Sequence, residues 1–280
     1  MDVSLIYFSQ TGNTRKVAEA MAGGFREAGH AVRTIPLTGV KEAAPGDALQ
    51  CDLLGVGTPC FASKAPTPVK NFLRALPPLD GRRAFVFATS GGAPGRVLYD
   101  LTRLLCSKEA DVVGGFLAHG TTYHPAPSLN GRMPGRPNAD DLARARRFAV
   151  AVSEHVAAGH SGPVAQSCPD ALRPGWGFYD FVGLVSKDPL VRLFLPEPKL
   201  NPARCNQCRW CASECPACNI TLQPYPVLGN RCIRCYRCLT GCPQEAVKAD
   251  WRFGNLAILF FYNSIFEHWF GDLEPGERLY

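Results

Sequence analysis

One pattern, C-x2-C-x2-C-x3-C-P, occurs twice within about forty residues of this 280-residue chain. The first copy is Cys205, Cys208, Cys211, Cys215 and Pro216; the second is Cys232, Cys235, Cys238, Cys242 and Pro243. An iron–sulfur cube needs four thiolates converging on one point, and two-residue gaps let a tight loop aim three sulfurs inward. In the two-cluster arrangement the fourth Cys of each run ligates the other cluster. The spacing therefore assigns Cys205, Cys208, Cys211 and Cys242 to one [4Fe–4S] cluster, and Cys232, Cys235, Cys238 and Cys215 to a second. Each proline fixes the turn that swings the fourth sulfur away, because Pro locks φ and has no N–H to donate.

Zinc and disulfides are the competing readings. Zinc sites pair two CxxC units across a longer spacer, and disulfide frameworks belong to short secreted chains. The segment resembles the bacterial two-[4Fe–4S] ferredoxin over about a fifth of the chain. That resemblance implies a small α+β ferredoxin-like domain. The other five cysteines (Cys51, Cys60, Cys106, Cys168, Cys218) are scattered, as suits free thiols in a reducing cytoplasm.

Charge sharpens the cluster reading. Between Asn201 and Arg252 the chain carries Arg204, Arg209, Arg231, Arg234, Arg237, Lys248 and Arg252 against Glu214, Glu245 and Asp250, a net +4. Thiolate-ligated cubes are anionic, so this surround predicts potentials in the upper part of the low-potential range. No aromatic-interleaved basic stripe accompanies the arginines, which argues against nucleic acid as partner.

The N-terminal half has a different rhythm. Val3 to Phe8 is an apolar, β-branched run, the mark of a strand buried on both faces. It ends in Ser9, Gln10, Thr11, Gly12, Asn13 and Thr14, followed by a helical stretch from Arg15. Strand, hydroxyl- and glycine-rich turn, then helix N-terminus make an anion site, with free backbone N–H groups and the positive helix end converging on a phosphate. An ordinary capped connection is the alternative. The loop is neither a Walker A loop nor G-x-G-x-x-G, so ATP and NAD fit poorly.

Further strands are predicted at Ala31–Leu37, Asp52–Gly57, Arg83–Thr89 and Asp111–Ala118, with helices near Pro68–Leu76, after Gly95 through Leu105, and at Asp140–Ala157. This alternation predicts a doubly wound parallel sheet with its ligand site beyond the carboxyl ends of the strands. Here the chain resembles flavodoxin, because Ser9 to Thr14 matches that family's S/T-x-T-G-x-T phosphate loop. The resemblance covers about the first 155 residues and implies a five-stranded sheet in the order 2-1-3-4-5 that binds FMN.

It also implies that the loops after strands 3 and 4 flank the flavin ring, through Thr58, Pro59, Cys60, Phe61 and Ala62, and through Thr89, Ser90, Gly91, Gly92 and Gly95. Phe61 is the one aromatic in either loop, a candidate to stack on the ring or to pack beneath the loop. The second loop has no aromatic, where many members of the family stack a tyrosine; that leaves one flavin face uncovered or covered from elsewhere. Cys60 reads as a buried, inert thiol.

The long loop after strand 5 carries Tyr123 and His124. They are candidates for contact with FMN or substrate and, with His119, for proton carriage; a solvated surface loop is the favoured alternative. The expected division is 1–158 for the FMN domain, 159–198 for a Pro/Gly-rich linker and short helices packing on the sheet, 199–250 for the two-cluster domain, and 251–280 for an aromatic tail. The tail reads as an interdomain or homodimer seam rather than a membrane contact. Its apolar run, broken by Asn263, Glu267 and His268, is too short to span a bilayer. The N-terminal run lacks the basic flank of a signal peptide.

Together these features predict a cytoplasmic electron-transfer protein that passes low-potential electrons between FMN and two clusters, with donor and acceptor redox proteins as partners. The alternative is a reductase acting on a small substrate at the flavin. The arrangement resembles that of the flavodoxin/ferredoxin fusion proteins of anaerobes.

Overall fold

The computed structural model describes residues 1–37, 49–160, 162–173 and 177–258. Its contacts separate two units: Met1–Thr121 with Met133–Leu184, and Thr122–Arg132 with Val185–Tyr280. In the first unit β1 (Asp2–Tyr7), α1 (Asn13–Glu27), β2 (Ala31–Pro36), β3 (Leu53–Pro59), α2 (Thr67–Ala75), β4 (Arg83–Ser90), α3 (Val97–Cys106), β5 (Asp111–His119) and α4 (Ala139–Ala157) alternate. The five strands form one parallel sheet in the order β2-β1-β3-β4-β5, as predicted.

Burial explains the order. β1, β3, β4 and β5 are buried along nearly their whole length, so both faces need a covering layer of helix. β2 is more exposed and takes an edge. A Cβ at Gly57 would lie 2.1 Å from the Phe87 ring, so that phenyl occupies space only a bare backbone leaves. Phe25, Phe85, Phe148 and Phe116 continue the core as neighbouring ring pairs 5.4–5.8 Å apart. α4 opens on a capping box in which Asn138 and Asp141 each accept the other's amide at 3.0 Å.

The stretch from Gly159 to Gly177, expected as a linker, does something else where it is described. Val164 N and Cys168 N donate to the carbonyls of Val113 and Gly115 at 2.8 Å, and Gly115 N donates to Ser167 Oγ at 2.9 Å. It thus covers the open edge of β5, whose unpaired backbone groups would otherwise face solvent. Of the two short helices that follow, α5 (Phe178–Val185) counts with the first unit through Leu184, and α6 (Asp188–Phe194) with the second.

In the second unit β6 (Lys199–Leu200) pairs antiparallel with β9 (Val247–Lys248). β7 (Ile220–Gln223) and β8 (Tyr225–Leu228) form the expected hairpin between the cysteine motifs. The one-turn helices α7 (Trp210–Ser213) and α8 (Arg237–Thr240) sit at matching places in the two motifs, and α9 (Trp251–Ile258) follows. Left-handed backbone recurs in the same register: Gln207 and Arg234, Arg209 and Tyr236, Cys218 and Glu245, all with φ of 45–64°. The expected tail lies outside the described residues beyond Ile258. Among the described residues no helix is long and apolar enough to cross a membrane.

Candidate functional site

Four loops meet at the carboxyl edge of the parallel sheet, stitched by bonds that cross between them. Thr14 Oγ1 and Thr89 Oγ1 share a buried hydrogen bond of 2.9 Å, joining the loop after β1 to the end of β4. Asn13 Nδ2 donates to Thr121 O at 2.8 Å. Gly120 N donates to Ser90 O at 2.9 Å, and Cys60 N to Thr89 O at 2.8 Å. Together they hold Ser9–Thr14, Thr58–Ala62, Thr89–Gly95 and Gly120–Thr121 in one arrangement.

The start of α1 has an anion site's construction. Gly12 is the residue before the helix, at φ +94° with open space where a Cβ would stand, so the N-cap position itself offers no side chain. Ser9 Oγ accepts Arg15 N at 3.2 Å, which leaves its hydroxyl hydrogen to donate. Backbone amides at the positive end of the helix, a bare Gly12 and hydroxyls at Ser9 and Thr11 suit a phosphate ester. The loop after β3 folds back on itself through the mutual backbone bonds of Phe61 and Lys64, with Ala62 and Ser63 left-handed between them.

The second unit gathers its cysteines around two cavities. Cys205, Cys208, Cys211 and Cys242 line one. Cys215, Cys232, Cys235 and Cys238 line the other. In each motif the fourth cysteine therefore sides with the other motif's first three. Backbone N–H groups point at sulfur in the same register. Gln207 N and Arg234 N reach Cys205 and Cys232 Sγ at 3.4 Å; Asn219 N and Ala246 N reach Cys215 and Cys242 Sγ at 3.4 and 3.3 Å. Left-handed backbone at Gln207 and Arg234 accompanies that aim.

The two cavities differ in cover. Cys208, Gln207 and Arg209 are exposed, whereas Tyr236 in the second motif is buried. Burial, with the neighbouring thiols adding to it, pushes Cys238 up to about 12. Burial raises Cys235 to about 12 as well. As it stands, no group of three or more His, Cys, Asp or Glu among the described residues could hold a metal ion.

Residues 4–116 match the family described as Flavodoxin domain. Residues 4–116 carry a flavodoxin domain. A flavodoxin of Aquifex aeolicus (strain VF5) is 37% identical over 99 residues, 33% of this chain and 52% of the relative. The chain thus spans about half the length of the curated relative it matches. Among solved structures, a flavodoxin from the domain Archaea is 20% identical with a TM-score of 0.45, covering 56% of this chain and 99% of that one. Flavodoxin of Megasphaera elsdenii gives 21%, 0.40, 52% and 98% by the same measures. The rubredoxin oxygen:oxidoreductase of Desulfovibrio gigas gives 17%, 0.44, 56% and 36%.

In the flavodoxin domain the predicted loop residues fall together at one sheet edge, with differences in detail. Phe61 is partly buried and packs edge-on against Phe8, their rings 6.3 Å apart at 81°. Cys60 turns its thiol to the carbonyls of Ala93 and Pro94 at 3.3 and 3.4 Å, and burial pushes it up to about 12, an inert neutral thiol. α5 packs on the loops after β3 and β4: a Cβ at Gly183 would lie 2.3 Å from Ser63 O, and one at Gly95 would lie 2.4 Å from Tyr179 O. This cover lies on the aromatic-poor loop; the apolar stretch is expected from sequence to pack on the sheet domain, but its place over these loops is not specified there.

The loop after β5 departs furthest from expectation. His119 is buried at the end of β5 in the flavodoxin unit, and burial lowers its pKa. Tyr123 and His124 fall in the second unit. Tyr123 is exposed. His124 is not a solvated loop residue. Its ring stands edge-on to Tyr236 at 5.3 Å and to Trp251 at 5.2 Å, and its Nδ1 accepts Ala126 N at 3.1 Å. Burial pulls its pKa down to about 4. Ser128 N donates to Asn255 Oδ1 at 3.1 Å, tying the same excursion to α9.

Proposed function

We propose that this chain is an electron-transfer protein that joins an FMN site in its flavodoxin unit to two [4Fe–4S] clusters in its second unit and serves partner redox proteins. The observation that carries the reading is the pair of four-cysteine cavities with their fourth cysteines exchanged. Four thiols about a cavity suit a group larger than a single ion, since a cube offers each thiolate its own iron. The sulfur-directed amides support it, because hydrogen bonds to cluster sulfur favour the more negative state.

On the flavodoxin side the family match implies FMN. The residues present fit its phosphate: an α1 start whose N-cap, Gly12, has no side chain, and hydroxyls at Ser9 and Thr11. FMN supplies one- or two-electron chemistry and each cluster one-electron chemistry, while the protein sets position and potential. Ser9–Thr14 hold the phosphate. The loops Thr58–Ala62 and Thr89–Gly95 border the ring, kept in register by the Cys60–Thr89 and Gly120–Ser90 bonds. Cys205, Cys208, Cys211 and Cys242 hold one cluster, and Cys215, Cys232, Cys235 and Cys238 the other. None of these residues acts as an acid, base or nucleophile.

Anaerobic purification with iron, sulfide, zinc and flavin quantified tests the reading. The expected content is about eight iron, eight sulfide and one FMN per chain. Zinc in place of iron, or a chain that retains no flavin after FMN is supplied, refutes it.

A further inference from the structure

Arg234 stands between two cysteines of the second motif, and its environment is unusual for a guanidinium. The side chain is 8% exposed. Neither Nε nor Nη1 makes a hydrogen bond. Its nearest carboxylate is Glu197, whose Oε1 lies 3.5 Å from Nη1 and which is itself 57% exposed. Burying a charge with two of its three nitrogens lacking a hydrogen bond is costly, and a solvated carboxylate repays little of that cost. Other arginines of the unit are relieved differently: Arg237 pairs with Glu214, and Arg204 with Glu245.

The two motifs are not equivalent here. The residue in register with Arg234 is Gln207, neutral and exposed. Arg234 is seated beside the cavity of Cys215, Cys232, Cys235 and Cys238 by its backbone: its N–H points at Cys232 Sγ at 3.4 Å, and its chain neighbours Ile233 and Cys235 line that cavity. A second cation stands on the same motif, since Arg192 Nε donates to Cys232 O at 2.7 Å.

We propose that Arg234 is the buried counter-charge of the cluster held by Cys215, Cys232, Cys235 and Cys238, and that it holds that cluster's reduction potential up. The inference rests on the cluster reading above. A thiolate-ligated cube is anionic and gains a further negative charge on reduction, so a desolvated cation nearby stabilises the reduced form. Burial of this cavity works the other way, disfavouring added charge. Arg234 opposes that effect, and the exposed first site has no buried cation in the matching position. Arg234 is thus a positioning residue for charge, not a ligand.

The test is a mediated redox titration of the full-length holoprotein, followed by EPR. The Cys208→Ala chain, which keeps the second cluster, identifies its midpoint. Arg234→Gln is expected to shift that cluster's reduced-to-oxidised ratio at least about tenfold toward oxidised, ~59 mV for one electron, and to leave the other midpoint in place. Glu197→Gln removes an exposed partner carboxylate and is expected to move the same midpoint upward. If Arg234→Gln fails to load iron, the Glu197→Gln chain decides alone. An unmoved midpoint, a downward shift in Glu197→Gln, or equal shifts of both clusters in Arg234→Gln overturns the proposal. Wild-type chain without iron and sulfide refutes the cluster reading instead.

Discussion

Cys242 is written in the second motif, yet its side chain lines the cavity of Cys205, Cys208 and Cys211. Pairs of substitutions therefore give different arithmetic depending on which thiols share a cluster. Each cavity presents four cysteines, so one Cys→Ala change removes a quarter of one ligand set and none of the other. Cys242→Ala should lower iron from about eight to about four per chain, and so should Cys208→Ala. The double variant Cys208→Ala/Cys242→Ala should also retain about four, because both changes fall on one cluster. Cys235→Ala/Cys242→Ala should retain almost none. The assay is iron and sulfide content after anaerobic reconstitution, with EPR of the reduced chain showing one isolated signal in the first double variant. The reverse outcome, with Cys208→Ala/Cys242→Ala empty and Cys235→Ala/Cys242→Ala half-loaded, would mean that each motif keeps its own fourth thiol. That result would refute the exchanged assignment.

Gly12→Ala places a side chain at φ +94° with open space around its Cβ, so its cost is conformational, about 1–2 kcal/mol by urea unfolding, with weaker FMN retention in a fluorescence titration. Gly57→Ala drives a Cβ to 2.1 Å from the Phe87 ring and should cost about 1–3 kcal/mol, read as a fall in melting temperature. Tyr236→Phe removes the hydroxyl that donates to Pro196 O at 2.7 Å and should cost about 1–2 kcal/mol in the same assay. Burial holds His124 at about 4 against an ordinary 6.5, so the unfolded chain takes up a proton that the folded one refuses. Its contribution to stability is complete above the unfolded value and is lost as pH falls from 6.5 toward 4, at most about 3 kcal/mol. His124→Phe should flatten that slope in unfolding midpoints measured across the window, and an unchanged slope would assign it elsewhere.

The sheet was legible because its strands are buried on both faces. A strand such as Leu53–Pro59, with no polar alternation, reads as a buried central strand, while the order around it came from the resemblance to flavodoxin. The loops at its carboxyl edge were legible for the same reason, since their places follow from strand ends. The cover on β5 was not, because Val164 and Cys168 bind it through backbone amides that carry no side-chain period. Nor was the fate of His124, whose partners Tyr236 and Trp251 lie more than a hundred residues away in sequence. Six left-handed positions around the cysteines are occupied by Gln207, Arg209, Cys218, Arg234, Tyr236 and Glu245 rather than glycine. Residue type alone would place none of them there.

The cysteine unit is twofold in sequence and backbone but not in surroundings. Its matching turns, one-turn helices and sulfur-directed amides repeat between the motifs. The segments outside the repeat, however, converge on the second motif. Arg192 of α6 binds Cys232 O, Pro196 O takes the Tyr236 hydroxyl, Glu197 approaches Arg234, and His124 and Trp251 pack on Tyr236. A duplicated motif left bare on both sides would give two sites of like potential and like access. Here one site keeps an exposed Cys208, and the other is enclosed by added chain and a buried cation. In the reading proposed here, that difference gives the exposed site the closer approach of a soluble partner and the enclosed site a potential set from within.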